Sequence, residues 1–174
     1  MSNKRTYRKT VDGNAVWSDS HWSVKPGELR RGVGNPGKIA NLFRMVAEKL
    51  PYESLTDVRK HVEKALGHVM GVYIAHDSMG CPRYIGRGNI FDRLKVRKKA
   101  QHHELRYFSF YVVQEKKHER EIETLLIRGS AFLLELNERK RRVGIQPGSI
   151  TDYEAGTSFL ERQHKKGRRA KPRA

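Results

Sequence analysis

The chain has 174 residues, of which 36 are lysine or arginine and 19 are aspartate or glutamate, so its formal net charge is +17. The length fits one compact domain with extensions, and the single cysteine, Cys81, excludes a disulfide framework and a cysteine-rich zinc site. No apolar run is long enough to span a bilayer and no signal-peptide pattern is visible, so we expect a cytoplasmic protein that does not bind membranes. The excess of positive charge is typical of a protein that binds a polyanion, and the absence of a lipidation motif favours nucleic acid over lipid.

The first third of the chain predicts an arm followed by helices. Residues 1–35 are rich in Gly, Ser, Asn and basic side chains, which predicts an irregular basic arm. Residues 36–50 predict a helix, since their apolar side chains recur at helical spacing after a proline in the first turn. A second helix is predicted over residues 54–67, with Gly67 at its end. Residues 36–68 are therefore expected to form a helical pair.

The remaining elements predict a small α/β fold. Residues 70–86 read as a β-hairpin, "MGVYIAH" and "RYIG", around the turn "DSMGCP". A basic helix capped by Asn89 follows, then the strand "RYFSFYVV" and a long helix in which Gly129 is a candidate interruption. Residues 144–174 are expected to be loop and a disordered basic tail. The order predicts a small antiparallel three-stranded sheet flanked by helices, with an N-terminal helical extension.

Two similar triplets flank the hairpin turn, and three further motif residues follow them. They are Gly71-Val72-Tyr73, Tyr84-Ile85-Gly86, Arg93 in "NIFDRL", Glu123 in "ETLLI" and Asn137. Either triplet alone would be weak evidence, but five elements in this order and spacing resemble the GIY-YIG nuclease family over roughly residues 69–138. The resemblance implies that residues 69–143 form a nuclease core, and that the chain is a metal-dependent endonuclease which hydrolyses DNA phosphodiester bonds.

The resemblance also implies a role for each motif residue. Phosphodiester hydrolysis needs an activated water and charge neutralisation at phosphorus. A hard cation, Mg²⁺ or Mn²⁺, prefers oxygen ligands, and Glu123 is the expected metal ligand. Arg93 is expected to bind phosphate through its planar guanidinium. Tyr73 is favoured as the group that deprotonates the attacking water, with Tyr84 orienting it, and Asn137 is expected to order the site.

Basic residues around these motifs are expected to hold the DNA backbone without reading its sequence. They are Arg87, Lys95, Arg97, Lys98, Lys99, Arg139, Lys140, Arg141 and Arg142. Arg97 stands where many members of the family carry His or Lys, and because it stays protonated it can bind phosphate but cannot act as a base. His102 and His103, near the end of the same helix, are candidates for the missing imidazole, although they could equally be surface residues.

Other interpretations remain open at this stage. Each tyrosine taken alone is better explained as sheet packing, and Arg93 alone as a solvated helix residue. The alternative function is a non-catalytic nucleic-acid-binding protein that retains the GIY-YIG fold, and a third is a basic structural protein of a ribonucleoprotein. Within the nuclease interpretation the sequence favours a restriction-type or structure-specific enzyme and does not exclude RNA as substrate. A homodimer is a hypothesis, since a two-fold partner matches a palindromic site.

Overall fold

The computed structural model describes residues 7–31, 42–101, 104–130, 134 and 158–165. The strands are β1 (Tyr7–Val11), β2 (Trp17–Ser18), β3 (Trp22–Arg31), β4 (Phe43–Pro51), β5 (Met70–His76), β6 (Pro82–Asn89), β7 (Tyr107–Val113) and β8 (Ser158–His164). The α-helices are α1 (Leu55–Leu66), α2 (Ile90–Ala100) and α3 (Lys117–Gly129), and the 3₁₀ helix Tyr52–Ser54 precedes α1. None of the helices in these ranges is long and apolar enough to cross a membrane.

The described strands form one mixed sheet of eight strands in the order β1-β3-β8-β4-β7-β5-β6, with β2 paired to β3. The pairings are antiparallel except that of β4 with β8, which is parallel. The prediction of a small three-stranded sheet is therefore wrong. Its three strands are present as β5, β6 and β7, but they form one end of a sheet to which the rest of the chain contributes five more strands.

The predicted first helix is wrong because Phe43–Pro51 is a strand in the middle of the sheet. β4 lies between β7 and β8, and both of its faces are covered. Met45 and Ala47 belong to the core on one face, whereas Phe43 and Val46 belong to the core on the other. The apolar residues in and just before this strand also fit helical spacing, with Leu42, Val46 and Leu50 four residues apart, so periodicity alone cannot distinguish it from a helix. The N-terminal helical extension is thus reduced to α1.

The predicted irregular arm and disordered tail are also wrong where the structure describes them. Tyr7–Val11 and Trp22–Arg31 pair with each other, and Ser158–His164 pairs with Trp22–Arg31 on its other side. These strands are polar and rich in basic residues, so their propensity for strand is low. Backbone pairing between segments more than a hundred residues apart outweighs that propensity, and a local pattern cannot indicate such a pairing.

The predicted elements from residue 54 to residue 129 are confirmed. Helix α1 ends at Gly67, whose φ of 73° is the left-handed conformation that glycine adopts at helix ends. Asn89 caps α2, since its side chain accepts a hydrogen bond from the backbone N–H of Asp92 at 3.3 Å. The long helix begins at Lys117 and ends at Gly129.

The sheet separates two apolar cores. Helices α1 and α2 cover one face, where Val58 and Phe91 pack among residues of β4, β5 and β7. Helix α3 covers the other face, where Ile122 packs with Val72 and Ile85. Strand β6, the last strand at one end of the described sheet, is contacted by α2 on one side and by α3 on the other.

Candidate active site

The β5–β6 hairpin carries both triplets and sends alternate side chains to opposite faces of the sheet. Tyr73 pairs with Gly86, and Val72 pairs with Arg87. Because side chains alternate along a strand, Tyr73 and Tyr84 lie on the α2 face, and Arg87 lies on the α3 face with Val72. The hairpin thus presents a phenolic cluster on one side and a cationic side chain on the other.

The two motif tyrosines pack against each other. Their ring centroids are 5.9 Å apart and their planes differ by 27°. Tyr73 is buried at 2% exposure, whereas Tyr84 is partly exposed. Burial, the largest cause, raises the pKa of Tyr73 above its usual range, and the charge and hydrogen bond of Tyr84 raise that pKa further. The positive charges of Arg97 and Arg93 oppose this rise, so both guanidinium groups act on the tyrosine pair.

The glycines of the two triplets permit close approaches. A Cβ atom at Gly86 would lie 2.5 Å from Tyr73 Oη and 2.8 Å from Tyr84 Cε1. A Cβ atom at Gly71 would lie 2.1 Å from the backbone oxygen of Tyr111 on β7. Glycine is therefore required at Gly86 for the tyrosine pair to occupy its position, and at Gly71 for β5 to approach β7.

Two arginines of α2 complete the cluster on this face. The guanidinium carbon of Arg97 lies 3.8 Å from the centre of the Tyr84 ring, a cation–π contact. Arg93 is one helical turn earlier and exposed to solvent. The place of the usual His or Lys is thus filled by a cation that stacks on the second motif tyrosine. We refer to Tyr73, Tyr84, Arg93 and Arg97 as the tyrosine–arginine cluster.

Glu123 lies on the α3 side of β6. It is 3% exposed, and its Oε2 lies 3.2 Å from Arg87 Nε in an ion pair. Glu119, one turn earlier on α3, is 1% exposed, and its Oε1 has no hydrogen-bond partner among the described residues. Burial raises the pKa of the Glu119 carboxyl, Arg87 opposes this rise and Glu123 adds to it. Sequence reasoning missed Glu119, although its four-residue spacing from Glu123 places both carboxylates on one helix face.

The tyrosine–arginine cluster and the carboxylate pair meet at the same strand from opposite faces. Tyr84 and Arg87 are three residues apart on β6, which corresponds to about 10 Å along a strand. Because β6 is the last strand of the described sheet, a phosphate bound at that edge would lie between the two groups. An active site that uses both groups therefore straddles the edge of the hairpin.

The acidic residues on α3 fit a weakly held hard cation. The part of the chain that the structure describes holds no group of three or more His, Cys, Asp or Glu side chains that could bind a metal by themselves. Mg²⁺, however, retains waters and commonly takes one or two carboxylates together with substrate phosphate. Glu123 is a donor of that kind, and Glu119 would become one on losing the proton that its burial favours.

Several predicted site residues lie outside the described part of the chain. They are His102, His103, Asn137, Arg139, Lys140, Arg141 and Arg142. Of the other predicted DNA contacts, Arg87 binds Glu123, and Lys98 Nζ donates to the backbone oxygen of Leu105. Lys95 and Lys99 are exposed on α2.

Compared with protein-family models, with curated proteins and with solved structures, the chain shows no match to any of them. The order and spacing of the motif residues, the geometry of the tyrosine–arginine cluster and the buried carboxylates are the observations that bear on function.

Proposed function

We propose that the chain is a metal-dependent endonuclease of the GIY-YIG type, which hydrolyses DNA phosphodiester bonds. The observation that carries the proposal is the tyrosine–arginine cluster, in which three motif residues, Tyr73, Tyr84 and Arg93, come together with Arg97 on one face of the sheet. The two tyrosine rings stack, Arg97 covers the Tyr84 ring, and the charge of Arg93 acts on Tyr73. Sheet packing alone would account for two stacked tyrosines, but it gives no reason for an arginine stacked on Tyr84 and a second arginine one turn earlier on the same helix face.

The arginines supply the binding of the scissile phosphate. Arg93 is exposed and offers a planar set of donors that matches phosphate oxygens. Arg97 is held by the Tyr84 ring, so its charge is fixed in place rather than distributed over many rotamers. Guanidinium groups are positively charged, so Arg93 and Arg97 stabilise the negative charge that develops on the phosphate during hydrolysis.

Tyr84 is better placed than Tyr73 to accept the proton of the attacking water. Burial disfavours the phenolate of Tyr73, which must lose its proton to act as a base. Tyr84 is partly exposed and carries the Arg97 charge on its ring. Tyr73 then serves as a positioning residue that holds the Tyr84 hydroxyl, the reverse of the roles expected from the sequence.

Glu123, with Glu119 beside it, would hold Mg²⁺ or Mn²⁺ on the α3 side of β6. When bound there, such a cation neutralises charge on the phosphate and acidifies water. Arg87 fixes the orientation of the Glu123 carboxylate through their ion pair at 3.2 Å. A role for Arg87 in positioning Glu123 is thus better supported than the DNA contact expected from the sequence.

The charge of the chain favours DNA as the partner. A net charge of +17 attracts a polyanion, because each neutralised phosphate releases a condensed counterion. RNA carries the same phosphates and is a competing substrate in the test below. We place the activity in the cytoplasm, and we retain the homodimer as a hypothesis for a restriction-type enzyme.

A second candidate is a non-catalytic nucleic-acid-binding protein with the same fold. Two observations favour it: Tyr73 is buried in the core, and the Glu123 carboxylate is engaged by Arg87 on the face opposite the tyrosines. The two candidates differ in one outcome only, which is whether a phosphodiester bond is broken.

The test is incubation of the protein with Mg²⁺, Mn²⁺ or EDTA and four substrates: supercoiled plasmid, linear duplex, branched DNA and RNA. The nuclease proposal expects cleavage of at least one DNA substrate with metal and none with EDTA. Discrete plasmid fragments indicate a restriction-type enzyme, and cuts only at branches indicate a structure-specific one. Tight binding with every substrate intact selects the binding protein, and cleavage of RNA alone overturns the assignment of DNA.

A further inference from the structure

A cavity of about 610 Å³ lies between the start of α1 and the flank of α2 that faces away from the tyrosine–arginine cluster. Its volume falls within the range of ligand pockets. The lining residues are Tyr52, Glu53, Leu55, Thr56, Arg59, Phe91, Lys95, Lys98 and Lys99. None of the motif residues belongs to this set, so the cavity is separate from the candidate active site.

The inner part of the cavity is apolar and aromatic. Phe91 and Tyr52 are buried at 1% and 7% exposure, and Leu55 is partly buried. Tyr52 packs against Phe108, yet its hydroxyl oxygen has no hydrogen-bond partner among the described residues. A buried hydroxyl without a partner is costly, and a small shift of the side chains that cover it would let a ligand with a polar edge satisfy it.

The outer part of the cavity is cationic. Lys95 and Lys99 are exposed, and the Lys98 ammonium lies 5.2 Å from the centre of the Tyr52 ring. Arg59 forms ion pairs with Glu63 and Asp92, which largely neutralise its charge. Glu53 is the one carboxylate among the described lining residues. The three lysines therefore leave the rim positive.

We propose that this cavity receives one unpaired nucleotide of a DNA strand, with its base against Phe91 and Tyr52 and its phosphate at Lys95 and Lys99. The buried rings of Phe91 and Tyr52 form only the floor of the cavity, and the partly exposed Leu55 adds apolar surface for a base. Apolar and aromatic contacts to a base, with cations beside its phosphate, are the elements with which proteins bind single-stranded nucleic acid. The inference rests on the proposed function only for the class of substrate, since the cavity and its charges stand independently of the motif.

The position of α2 connects the cavity with the candidate active site. Phe91, Lys95 and Lys99 face the cavity, whereas Arg93 and Arg97 face the tyrosines on the other flank of the same helix. A helix with its side chains is about 10–12 Å wide, which is short enough for one DNA strand to cross. The cavity thus makes DNA with an unpaired nucleotide beside a duplex the preferred substrate, and favours a structure-specific enzyme over a restriction-type one.

The experiment measures binding without cleavage, in EDTA, with two fluorescent duplexes. One carries 2-aminopurine as a single unpaired nucleotide, and the other carries it in a base pair. We expect the wild-type protein to bind the first duplex at least about ten-fold more tightly, as stacking of one base on aromatic rings provides, and to quench its fluorescence. Equal affinities without quenching would overturn the inference.

Two pairs of variants locate the effect. Thr56→Glu places a negative charge at the exposed rim of the cavity. The position is in the first turn of α1, where an acidic residue is favourable for the helix. The control, Gln114→Glu, adds the same charge at an exposed position before α3. Only Thr56→Glu should remove the preference for the unpaired nucleotide.

The second pair consists of double variants. Lys95→Ala/Lys99→Ala should reduce the preference, whereas Lys60→Ala/Lys64→Ala, which removes two exposed lysines of α1, should keep it. A preference that survives both cavity variants would contradict the proposal.

The readout separates this inference from the proposed function. A protein that prefers the unpaired nucleotide but cleaves nothing with Mg²⁺ or Mn²⁺ supports the cavity and contradicts the nuclease. A protein that cleaves DNA but binds both duplexes equally supports the nuclease and contradicts the cavity.

Discussion

The guanidinium carbon of Arg97 lies 3.8 Å from the centre of the Tyr84 ring, so the second motif tyrosine is covered by a cation from the helix that follows it. Tyr84 in turn stacks on Tyr73 at 5.9 Å. The stack therefore runs from a buried phenol through a partly exposed one to a fixed positive charge. This gradient of exposure distinguishes the two tyrosines, which the sequence alone presents as near equivalents.

Tyr84→Phe should slow cleavage by about 100-fold or more, because loss of a general base commonly costs 10²–10⁴ in rate. The ring and its contact with Arg97 remain, so affinity for DNA should change little. Tyr73→Phe is the matched variant and should cost less, since Tyr73 acts only by holding the Tyr84 hydroxyl. Single-turnover rates check this, and a larger loss with Tyr73→Phe would restore the buried tyrosine as the base.

Gly86→Ala should destabilise the protein by about 1–3 kcal/mol, the cost of overpacking a filled site. The added methyl would lie 2.5 Å from Tyr73 Oη, so the tyrosine pair must move and cleavage should fall as well. Gly129→Ala is the control, because a methyl at Gly129 would have no neighbour within 4 Å among the described residues packed against the helix. Thermal melts check both variants, and equal stability of Gly86→Ala and wild type would show that Tyr73 does not need this glycine.

His76 makes the stability of the hairpin depend on pH. Gly80 O can only accept, so His76 Nδ1 donates to it at 3.1 Å, and Nε2 then accepts from Ser109 Oγ at 2.8 Å. Burial lowers the pKa of the His76 imidazole from 6.5 to about 4. Below about pH 6.5 the imidazole is protonated in the unfolded chain but stays neutral in the folded one. The free energy of unfolding therefore falls as pH falls, by roughly 3 kcal/mol in total between pH 6.5 and pH 4.

Denaturant unfolding of wild type and His76→Gln from pH 7.5 to pH 4 isolates this contribution. The variant should be less stable at pH 7.5, where the native imidazole is neutral and well bonded. Its stability should fall less steeply towards pH 4, since it lacks the group that must be kept neutral. Parallel curves for the two proteins would show that His76 does not titrate on unfolding.

Glu119 should make the stability of the protein fall as pH rises, the opposite of the effect of His76. Burial raises the pKa of its carboxyl, so its contribution to stability is lost as pH rises through that raised pKa. Glu119→Gln keeps the shape without the charge, and its stability relative to wild type should improve from pH 4 to pH 8. Glu121→Gln, exposed on the same helix, is the matched variant that removes a carboxylate without disturbing a buried site. If the difference in stability between Glu119→Gln and wild type does not change with pH, the native carboxylate is better stabilised than its burial indicates.

The part of the fold that sequence predicted correctly is the part with local signals. The turn "DSMGCP", the cap at Asn89 and the glycine at Gly67 all mark boundaries that the structure confirms. The part it missed depends on distant partners: β4 is apolar on both faces, and β8 pairs with β3 across more than a hundred residues. Such pairings leave no periodic trace in a single sequence.

The candidate site divides in the same way. Tyr73, Tyr84, Arg93 and Glu123 were selected by their motif, and their catalytic roles stay predictions. Glu119, the bond from Arg87 to Glu123, and the cavity beside α2 depend on packing between elements, and only the structure shows them.

The most direct test of the nuclease proposal compares Glu123→Gln with Glu121→Gln and wild type on supercoiled plasmid and branched DNA with Mg²⁺. Both variants remove one carboxylate from α3, but Glu123 is buried beside Arg87 and Glu121 is exposed. We predict that Glu121→Gln cleaves as wild type does, whereas Glu123→Gln binds DNA and leaves it intact. Wild-type cleavage by a folded Glu123→Gln protein, or binding without cleavage by wild type, would contradict the proposal.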